Sequence, residues 1–159
     1  MFSILFTSNL LIVFRFLVNL LSAFGNTFIQ KGGTDLKIRF FICKHCGNMI
    51  VMIKDSGVPV KCCGENMQEI IPGTSEGAQE KHIPVYHTSG ETVTVSVGET
   101  EHPMTPEHYI DWVCLETEDG FQLKKLNQGM SPHVSFTITK GDNIKAVYAF
   151  CNQHSLWKS

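Results

Sequence analysis

Six cysteines and seven histidines carry the chemistry that this sequence suggests. Four of the cysteines form two pairs, Cys43-x2-Cys46 and the directly adjacent Cys62-Cys63. In a chain of this size, a C-x2-C pair is more typical of metal or redox chemistry in a reducing compartment than of a disulfide framework. Four thiolates at this spacing can close a tetrahedral site on iron or zinc. Such a centre has no vacant position, so it can hold structure or pass electrons but cannot bind a substrate.

A second set of metal-binding residue types lies downstream. A single histidine is usually a surface or core residue, but here the histidines are grouped with a cysteine. The group comprises a histidine after a Glu-Lys pair, two histidines that bracket a loop with two prolines, and a C-x2-H pair: His82, His102, His108, Cys151 and His154. Four imidazoles and one thiolate suit a redox metal better than structural zinc, which prefers four ligands. One coordination position would stay open for a small molecule, and the thiolate would push electron density onto iron.

The cysteine-bearing part is too short to fold around a hydrophobic core of its own. Roughly 30 residues cannot bury enough apolar surface, so a metal is expected to hold this part together. Gly47 and Gly64 each follow a cysteine pair, which suits tight loops whose backbone bends around a metal. Structural zinc at the four cysteines stays open as the alternative to iron, because the ligand types alone do not separate the two metals.

The elements that must position these residues are predicted to be strands. Thr92–Val97 alternates strictly, with valines on one face and hydroxyls on the other, which indicates a half-buried strand. Further strands are predicted between turn signals, with no convincing helix, at Tyr109–Leu115, Phe121–Leu126, Val134–Ile138 and Ile144–Cys151. Short strands at this spacing favour a β-sandwich. The chain is therefore predicted to be all-β, with a metal-binding domain over 36–72, a linker over 73–78 and a β-sandwich over 79–159.

The amino-terminal residues differ in composition from the rest of the chain. Residues 1–24 carry a single charge, Arg15, inside an apolar run. A cation within a membrane span is costly, and no Lys or Arg precedes the run, so a membrane anchor and an export signal both fit poorly. Lys31-Gly32-Gly33 can instead be encoded as AAA-GGA-GGT, a strong bacterial ribosome-binding sequence, with Leu36 as a TTG start codon.

We therefore expect translation to begin at Leu36, read as methionine, with residues 1–35 an untranslated upstream region. A chain that begins there lacks a targeting signal, which predicts a cytoplasmic protein without membrane contact. The net charge of -2 and the pI near 6.4 give no basic field, so nucleic acid is not an expected partner.

Taken together and in order, the motifs closely resemble those of the desulfoferrodoxin family, from about Ile38 to the C-terminus. The resemblance rests on five of them: Phe41-Ile-Cys43-Lys-His-Cys46-Gly47, Cys62-Cys63-Gly64, Glu80-Lys81-His82-x-Pro84, His102-Pro103-Met104-x3-His108-Tyr109-Ile110-x-Trp112 and Cys151-Asn152-x-His154-x-Leu-Trp157. It implies a rubredoxin-like or desulforedoxin-like domain followed by an immunoglobulin-like β-sandwich. The sequence departs from the family in one motif, because Ser155 stands where the family usually has glycine.

The resemblance also implies the cofactors, the reaction and the partners. One iron is implied on four cysteines, Cys43, Cys46, Cys62 and Cys63. The second, catalytic iron is implied on equatorial His82, His102, His108 and His154 with axial Cys151. The implied activity is superoxide reductase, which reduces superoxide to hydrogen peroxide and is re-reduced by an external donor such as rubredoxin. The family also suggests a homodimer.

Two charged residues directly before His82 are expected to take part in the reaction. The substrate is a small anion and the protein is slightly acidic, so a local cation, Lys81, is expected to attract it. Glu80 carries the wrong charge for capture, but the family suggests that its carboxylate occupies the sixth position of ferric iron after peroxide leaves. The alternative for both residues is a solvated surface pair of little energetic weight.

Two other functions stay open on the residues alone. A zinc-stabilised β-sandwich could be a binding module without catalysis. A superoxide dismutase would also need to oxidise superoxide, which an electron-rich thiolate ligand disfavours. Cys114 lies outside both groups, on a predicted strand, and is expected to be a buried core thiol.

Overall fold

Antiparallel strands make up nearly all the regular structure in the computed structural model, which describes residues 37–159. The predicted upstream region, 1–35, lies outside these residues. The cysteine-bearing part contains five short strands: β1 Arg39–Ile42, β2 Met49–Met52, β3 Lys61–Cys62, β4 Glu65–Asn66 and β5 Gln68–Ile70. The remainder contains α1 Gln79–His82, β6 Pro84–Ser89, β7 Thr92–Val97, β8 Ile110–Thr117, β9 Phe121–Lys125, β10 His133–Thr137, β11 Ile144–Cys151 and β12 Ser155–Lys158. The prediction of an all-β fold is confirmed.

Two larger sheets form the sandwich, and two smaller ones lie in the cysteine-bearing part. The sandwich sheets have the strand orders β10-β7-β6 and β12-β11-β8-β9, and the smaller sheets have the orders β2-β1-β5 and β3-β4. Every pairing among the described residues is antiparallel. The predicted bounds of β7 and β11 agree with the structure, whereas β6, β12 and α1 had no clear sequence signal.

The core of the sandwich lies between the two larger sheets. The three valines of β7, Val93, Val95 and Val97, are fully buried, as the alternation in the sequence predicted. They belong to one cluster with Val113 and Leu115 of β8 and with apolar residues of β10 and β11. Fully burying a side chain of this size contributes about 2 kcal/mol, so this cluster is the main source of the sandwich's stability.

The cysteine-bearing part shares a second core with the outer face of the sandwich. Phe40 of β1 stacks on Trp112 of β8, with ring centroids 4.9 Å apart, and meets the edge of Tyr148 of β11 at 5.4 Å. Trp112 in turn stacks on Phe150 at 5.4 Å. Cys114 is fully buried in this cluster, as predicted, and burial raises the pKa of its thiol to about 12. The cysteine-bearing part, which is too short to form a core of its own, therefore packs its apolar residues against the sandwich.

A buried carboxylate joins the two parts at this shared core. Glu116 of β8 is 4% exposed, and its Oε1 accepts a hydrogen bond from the backbone N–H of Ile38 at 3.1 Å. Its Oε2 accepts a second bond from the Tyr148 hydroxyl at 2.8 Å. Both oxygens of the buried carboxylate are therefore paired, one to each part, as a buried charged group requires.

The single helix among residues 37–159, α1, spans four residues and is far too short to cross a membrane. Its sequence, QEKH, contains no periodic apolar face, which explains why pattern analysis did not predict it.

Replacing the buried carboxylate should destabilise the fold. Glu116→Ala leaves the Ile38 amide and the Tyr148 hydroxyl without partners, and each unpaired buried group costs about 1–3 kcal/mol. We expect the free energy of unfolding, measured by urea denaturation, to fall by about 3 kcal/mol. Glu118→Ala is the control, because that exposed carboxylate bonds only exposed Asn143 among the residues that the structure describes, and it should change stability by less than about 0.5 kcal/mol. Equal effects of the two variants would contradict this account.

Candidate metal centres

The structure brings the four cysteines Cys43, Cys46, Cys62 and Cys63 together. Their Sγ atoms all lie within 4.8 Å of one another. The Sγ of Cys62 is 3.6 Å from that of Cys46 and 3.9 Å from that of Cys63. Cys43 is buried, whereas Cys46 and Cys63 are exposed. The group is therefore a four-sulfur cluster at the protein surface, with one sulfur turned inward.

Backbone geometry accounts for how these cysteines converge. The turn after β1 closes with hydrogen bonds from Cys43 N–H to the Asn48 carbonyl at 2.8 Å and from Gly47 N–H to the Cys43 carbonyl at 2.9 Å. Gly47 has φ +77°, a conformation that glycine adopts without steric cost. Cys63 also has a positive φ, +53°, which is unusual for a residue with a Cβ. This conformation lets two consecutive side chains point to the same centre.

The pKa values of the cysteine thiols indicate how a bound cation would affect this cluster. Hydrogen bonds from the backbone N–H groups of Cys46 and His45 lower the pKa of Cys43 to about 7. The neighbouring thiols of Cys46 and Cys62 raise the pKa of Cys63 to about 12, because a further negative charge is disfavoured beside them. A positive ion at the centre would stabilise four neighbouring thiolates, whose like charges otherwise repel one another. The set fits a tetrahedral iron or zinc ion with no open position.

The second group, His82, His102, His108, Cys151 and His154, also comes together. One ligand atom from each residue lies within 4.8 Å of all the others. The Nδ1 of His154 is 2.9 Å from the Nε2 of His82, 3.1 Å from the Nε2 of His108 and 3.6 Å from the Sγ of Cys151. Five donor atoms thus converge on one point.

Three separate segments bring these donors to one end of the sandwich. His82 ends α1, just before β6. His102 and His108 lie in the loop between β7 and β8. Cys151 ends β11, and His154 precedes β12 in the tight turn that joins these two strands.

Hydrogen bonds fix which ring nitrogen faces the centre. The Nδ1 of His82 lies 2.7 Å from the Ala78 carbonyl oxygen, and the Nδ1 of His102 lies 2.6 Å from the Pro103 carbonyl oxygen. A carbonyl only accepts, so each Nδ1 carries the proton and each Nε2 offers a lone pair. Such outer contacts are the usual way of orienting a histidine that binds metal.

One ring nitrogen in the centre, the Nε2 of His102, is buried without a hydrogen-bond partner among the described residues. His102 as a whole is only 2% exposed. Leaving a buried acceptor unpaired costs about 1–3 kcal/mol. A metal ion at the convergence point would pair this lone pair and also relieve the close approach of the other donors. The group therefore fits a metal ion.

Burial keeps the imidazoles in the form that binds metal. It lowers the pKa of His102 to about 4, and it also lowers the pKa of His82 and of His108. These rings are neutral at pH 7, as metal ligands must be. Burial raises the pKa of Cys151. The backbone N–H of His154 donates to its Sγ at 3.4 Å and lowers this pKa in part. A cation beside this thiol is needed to favour the thiolate.

Asn152 ties two of the ligand-bearing segments together. Its Oδ1 accepts a bond from Tyr109 N–H at 2.9 Å, and its Nδ2 donates to the Glu107 carbonyl at 2.8 Å. Gln153 donates to the same carbonyl at 2.9 Å. The residues on either side of His108 are therefore fastened to the turn between Cys151 and His154.

Glu80 and Lys81 are exposed neighbours of the centre rather than members of it. The ammonium of Lys81 is near enough to contribute, after burial and the neighbouring imidazoles, to lowering the pKa of His108. Glu80 opposes the lowering of the pKa of His82. Its side chain lines a surface cavity of about 350 Å³ together with Val85 and Glu99.

Several residues that hold the ligands were not predicted. Ala78 and Pro103 act through backbone carbonyls, which every residue possesses, so their side chains give no sign of the contact. Trp157 stacks on His82, with centroids 4.8 Å apart and planes at 23°, and its motif position was the only available signal.

Comparison with known proteins agrees with the fold and with both groups. A model of the protein family described as desulfoferrodoxin matches residues 74–159. The desulfoferrodoxin of Clostridium acetobutylicum is 40% identical over 79% of this chain and 96% of that protein. The desulfoferrodoxin of Nitratidesulfovibrio vulgaris is 41% identical over 74% of this chain and 91% of that protein. The crystal structure of the superoxide reductase from Treponema pallidum is 40% identical, with a TM-score of 0.66, over 77% of this chain and 97% of that chain.

A four-cysteine centre followed by a β-sandwich with a four-histidine, one-cysteine centre defines a two-iron, all-β metalloprotein. The chain belongs to the desulfoferrodoxin family. The resemblance inferred from the motifs is thereby confirmed, and so is the expectation of one Fe(Cys)4 and one Fe(His)4Cys centre.

Gly98 is predicted to be essential for the position of α1. Its φ is +84°, and an added Cβ would lie 2.6 Å from the Lys81 carbonyl oxygen and 2.5 Å from that of Thr100. We expect Gly98→Ala to displace the end of α1 with His82 and to lower the iron bound at the histidine centre, measured by metal analysis and visible absorption. Gly90→Ala is the matched control, because Gly90 has φ +60° with nothing within 4 Å of an added Cβ. Full iron loading of Gly98→Ala would refute the prediction.

Proposed function

We propose that this protein is a superoxide reductase, which converts superoxide to hydrogen peroxide. The observation that carries the proposal is the convergence of four imidazole nitrogens and one thiol sulfur at one end of the sandwich. The relative with the solved structure is a superoxide reductase, as are relatives in Pyrococcus abyssi and Thermococcus kodakarensis that are 35% identical over half of this chain.

The proposed ligands of the catalytic iron are the five residues of this group. Nε2 atoms of His82, His102 and His108 would bind it together with Nδ1 of His154 and Sγ of Cys151. Bound iron would supply the single electron that, with two protons, converts superoxide to hydrogen peroxide. The protein's part is to keep the imidazoles neutral, to favour the thiolate through N–H donors, and to exclude other ligands by burial.

Lys81 is proposed to attract the substrate. Superoxide is an anion, and Lys81 is the cation adjacent to a ligand in sequence and close enough to affect the pKa of His108. Its exposure leaves the ammonium free to meet an incoming anion in solvent, which increases the association rate rather than the affinity.

Glu80 is proposed to approach the open side of the centre in the resting, oxidised enzyme. Its carboxylate lines the cavity with Val85 and Glu99, so it would have to leave that cavity to reach the centre. It would then protect the site against other ligands and withdraw when the enzyme is reduced.

The four-cysteine centre is proposed to bind the second iron and to relay electrons. The exposure of Cys46 and Cys63 would let a small redox protein such as rubredoxin approach this centre closely. The electron donor, a homodimeric assembly and a cytoplasmic location are proposed from the family. The domain division at 36–72, 73–78 and 79–159 is likewise a proposal, which the match of the family model to residues 74–159 supports for the sandwich.

The primary test is metal analysis with a visible spectrum of the purified protein, followed by an assay of peroxide per superoxide. Iron with a thiolate-to-iron band and peroxide formation that depends on a reductant would support the proposal. A colourless zinc protein would indicate a non-catalytic binding module. Peroxide formed at one per two superoxide ions, without reductant, would indicate a dismutase.

The two centres should be separable by mutation. Cys43→Ser removes the buried sulfur of the four-cysteine group and should abolish that centre, while most superoxide reduction with an artificial reductant persists. Cys151→Ser should remove the thiolate-to-iron band and nearly all turnover, because no other sulfur lies in the histidine group. Stopped-flow assays with metal analysis of each variant provide the measurement. Loss of activity in Cys43→Ser with a fully loaded histidine centre would contradict the division of roles.

Lys81→Ala should slow the bimolecular reaction with superoxide roughly tenfold at low ionic strength. The rate should also become less sensitive to salt, because the attraction between Lys81 and superoxide, which salt screens, would be absent. Pulse radiolysis at several salt concentrations measures both effects.

Lys140→Ala is the control for this variant, since it removes the same charge far from the centre. β10 begins opposite Ser96, near the centre, and ends opposite Thr92, so the loop that follows it with Lys140 lies at the other end of the sandwich. Identical rates for Lys81→Ala and Lys140→Ala would exclude Lys81 from substrate attraction. Glu80→Ala should leave this rate nearly unchanged and alter only the spectrum of the oxidised enzyme.

A further inference from the structure

The connecting segment, residues 73–78, joins β5 of the cysteine-bearing part to α1. The sequence alone predicts a linker here, but the structure packs it against the histidine centre. Gly73 N–H donates to the Leu156 carbonyl at 2.8 Å, which aligns the segment with the start of β12. Ser75 is half-buried, and its hydroxyl donates to the carbonyl oxygen of His154. The segment therefore contacts a residue of the centre directly.

The carbonyl of His154 is held from two sides. Besides the Ser75 hydroxyl, the indole N–H of Trp157 donates to it at 2.9 Å. His154 faces the centre with Nδ1, the ring nitrogen nearest its own backbone, so few bonds separate its donor atom from its carbonyl. The position of this peptide, together with the two side-chain torsions, therefore sets where the donor nitrogen lies.

The next residue shows that this peptide is held in a disfavoured conformation. Ser155 has φ +61°, in the left-handed region that residues with a Cβ rarely adopt. The neighbouring turn would relax if nothing fixed the peptide. The two hydrogen bonds to the His154 carbonyl restrain the same peptide and so hold the strained geometry.

The other end of the connecting segment holds His82. The Ala78 carbonyl accepts the bond from Nδ1 of His82 at 2.7 Å. Gly77 passes so close that an added Cβ would lie 3.0 Å from Trp157 Cζ2 and 3.3 Å from His82 Cε1. Trp157 is 3% exposed and cannot move away easily. The segment, the indole and the imidazole thus form one packed layer.

We propose that the connecting segment positions the metal ligands His82 and His154, with Ser75 as the positioning residue that acts through the His154 carbonyl. The inference rests on the proposed ligand roles of these two histidines. It does not depend on the reaction, because it concerns only how tightly and in what geometry the metal is held. The segment that follows the cysteine-bearing part would thus contact two ligands of the catalytic centre directly, through Ser75 and Ala78.

Ser75→Ala, Ser75→Thr and Thr74→Ala test the proposal in the iron-loaded full-length protein. Ser75→Ala should shift the thiolate-to-iron absorption band and weaken iron retention against a chelator roughly tenfold, the usual effect of removing an outer contact of a ligand. Ser75→Thr keeps a hydroxyl and should restore both properties. Thr74→Ala is the matched control, because within residues 37–159 its hydroxyl bonds only the Ile71 carbonyl, at 2.8 Å, and both properties should stay at wild-type values.

The strain at Ser155 provides a second, independent test. Glycine adopts the left-handed conformation freely, so Ser155→Gly should remove the need to restrain the peptide. Ser75→Ala should then weaken iron retention less in the Ser155→Gly background than in the wild type. Gly77→Ala, which crowds the indole and His82, should shift the band in either background.

The outcomes separate this proposal from the proposed function. An unchanged band and unchanged iron retention in Ser75→Ala would overturn the positioning role, as would an equal loss in Thr74→Ala. An iron-loaded protein without superoxide activity would refute the proposed reaction and leave the positioning result standing. A wild-type protein without a thiolate-to-iron band would refute the ligand set on which both depend.

Discussion

Four imidazole nitrogens and one sulfur that face a single point are the constraint on which the catalytic end of the molecule depends. Two of the nitrogens, on His82 and His154, approach to 2.9 Å, and the buried Nε2 of His102 has no partner in the part of the chain that the structure describes. Such a set is unfavourable by itself, because burial desolvates lone pairs, and that of the His102 Nε2 finds no donor among residues 37–159. The binding energy of a metal offsets that cost. Metal loading and the folding of these loops are therefore expected to be linked.

The protein keeps the donors in place largely through its backbone. The carbonyls of Ala78 and Pro103 fix two rings by accepting their Nδ1 protons, and the carbonyl of His154 is itself fixed by Ser75 and Trp157. Carbonyls in turns have few degrees of freedom once the sandwich has formed, so they orient ligands at little entropic cost. The sheets must be well packed because they anchor the loops that hold these carbonyls at fixed positions.

This reliance on the backbone explains what the sequence could and could not predict. The alternation in Thr92–Val97 identified a buried face, and the ligand types and spacings predicted which side chains would form each group. By contrast, β6 is exposed along most of its length and shows no apolar period, while α1 is a single turn. The role of Ser75 was missed because a serine in a glycine-rich stretch predicts a flexible connection, and only the tertiary structure shows what its hydroxyl contacts.

The two centres differ in a way that follows from their surroundings. The four-cysteine group has two exposed sulfurs and no position left for a substrate, which suits exchange of electrons with another protein. The histidine group contains a fully buried Cys151, so its metal would not be reached through the core of the sandwich. A shared core in which Phe40 stacks on Trp112 keeps the parts that carry these groups in fixed contact. If the exposed sulfurs receive the electrons, as proposed, substrate and electron donor would approach different surfaces of the protein.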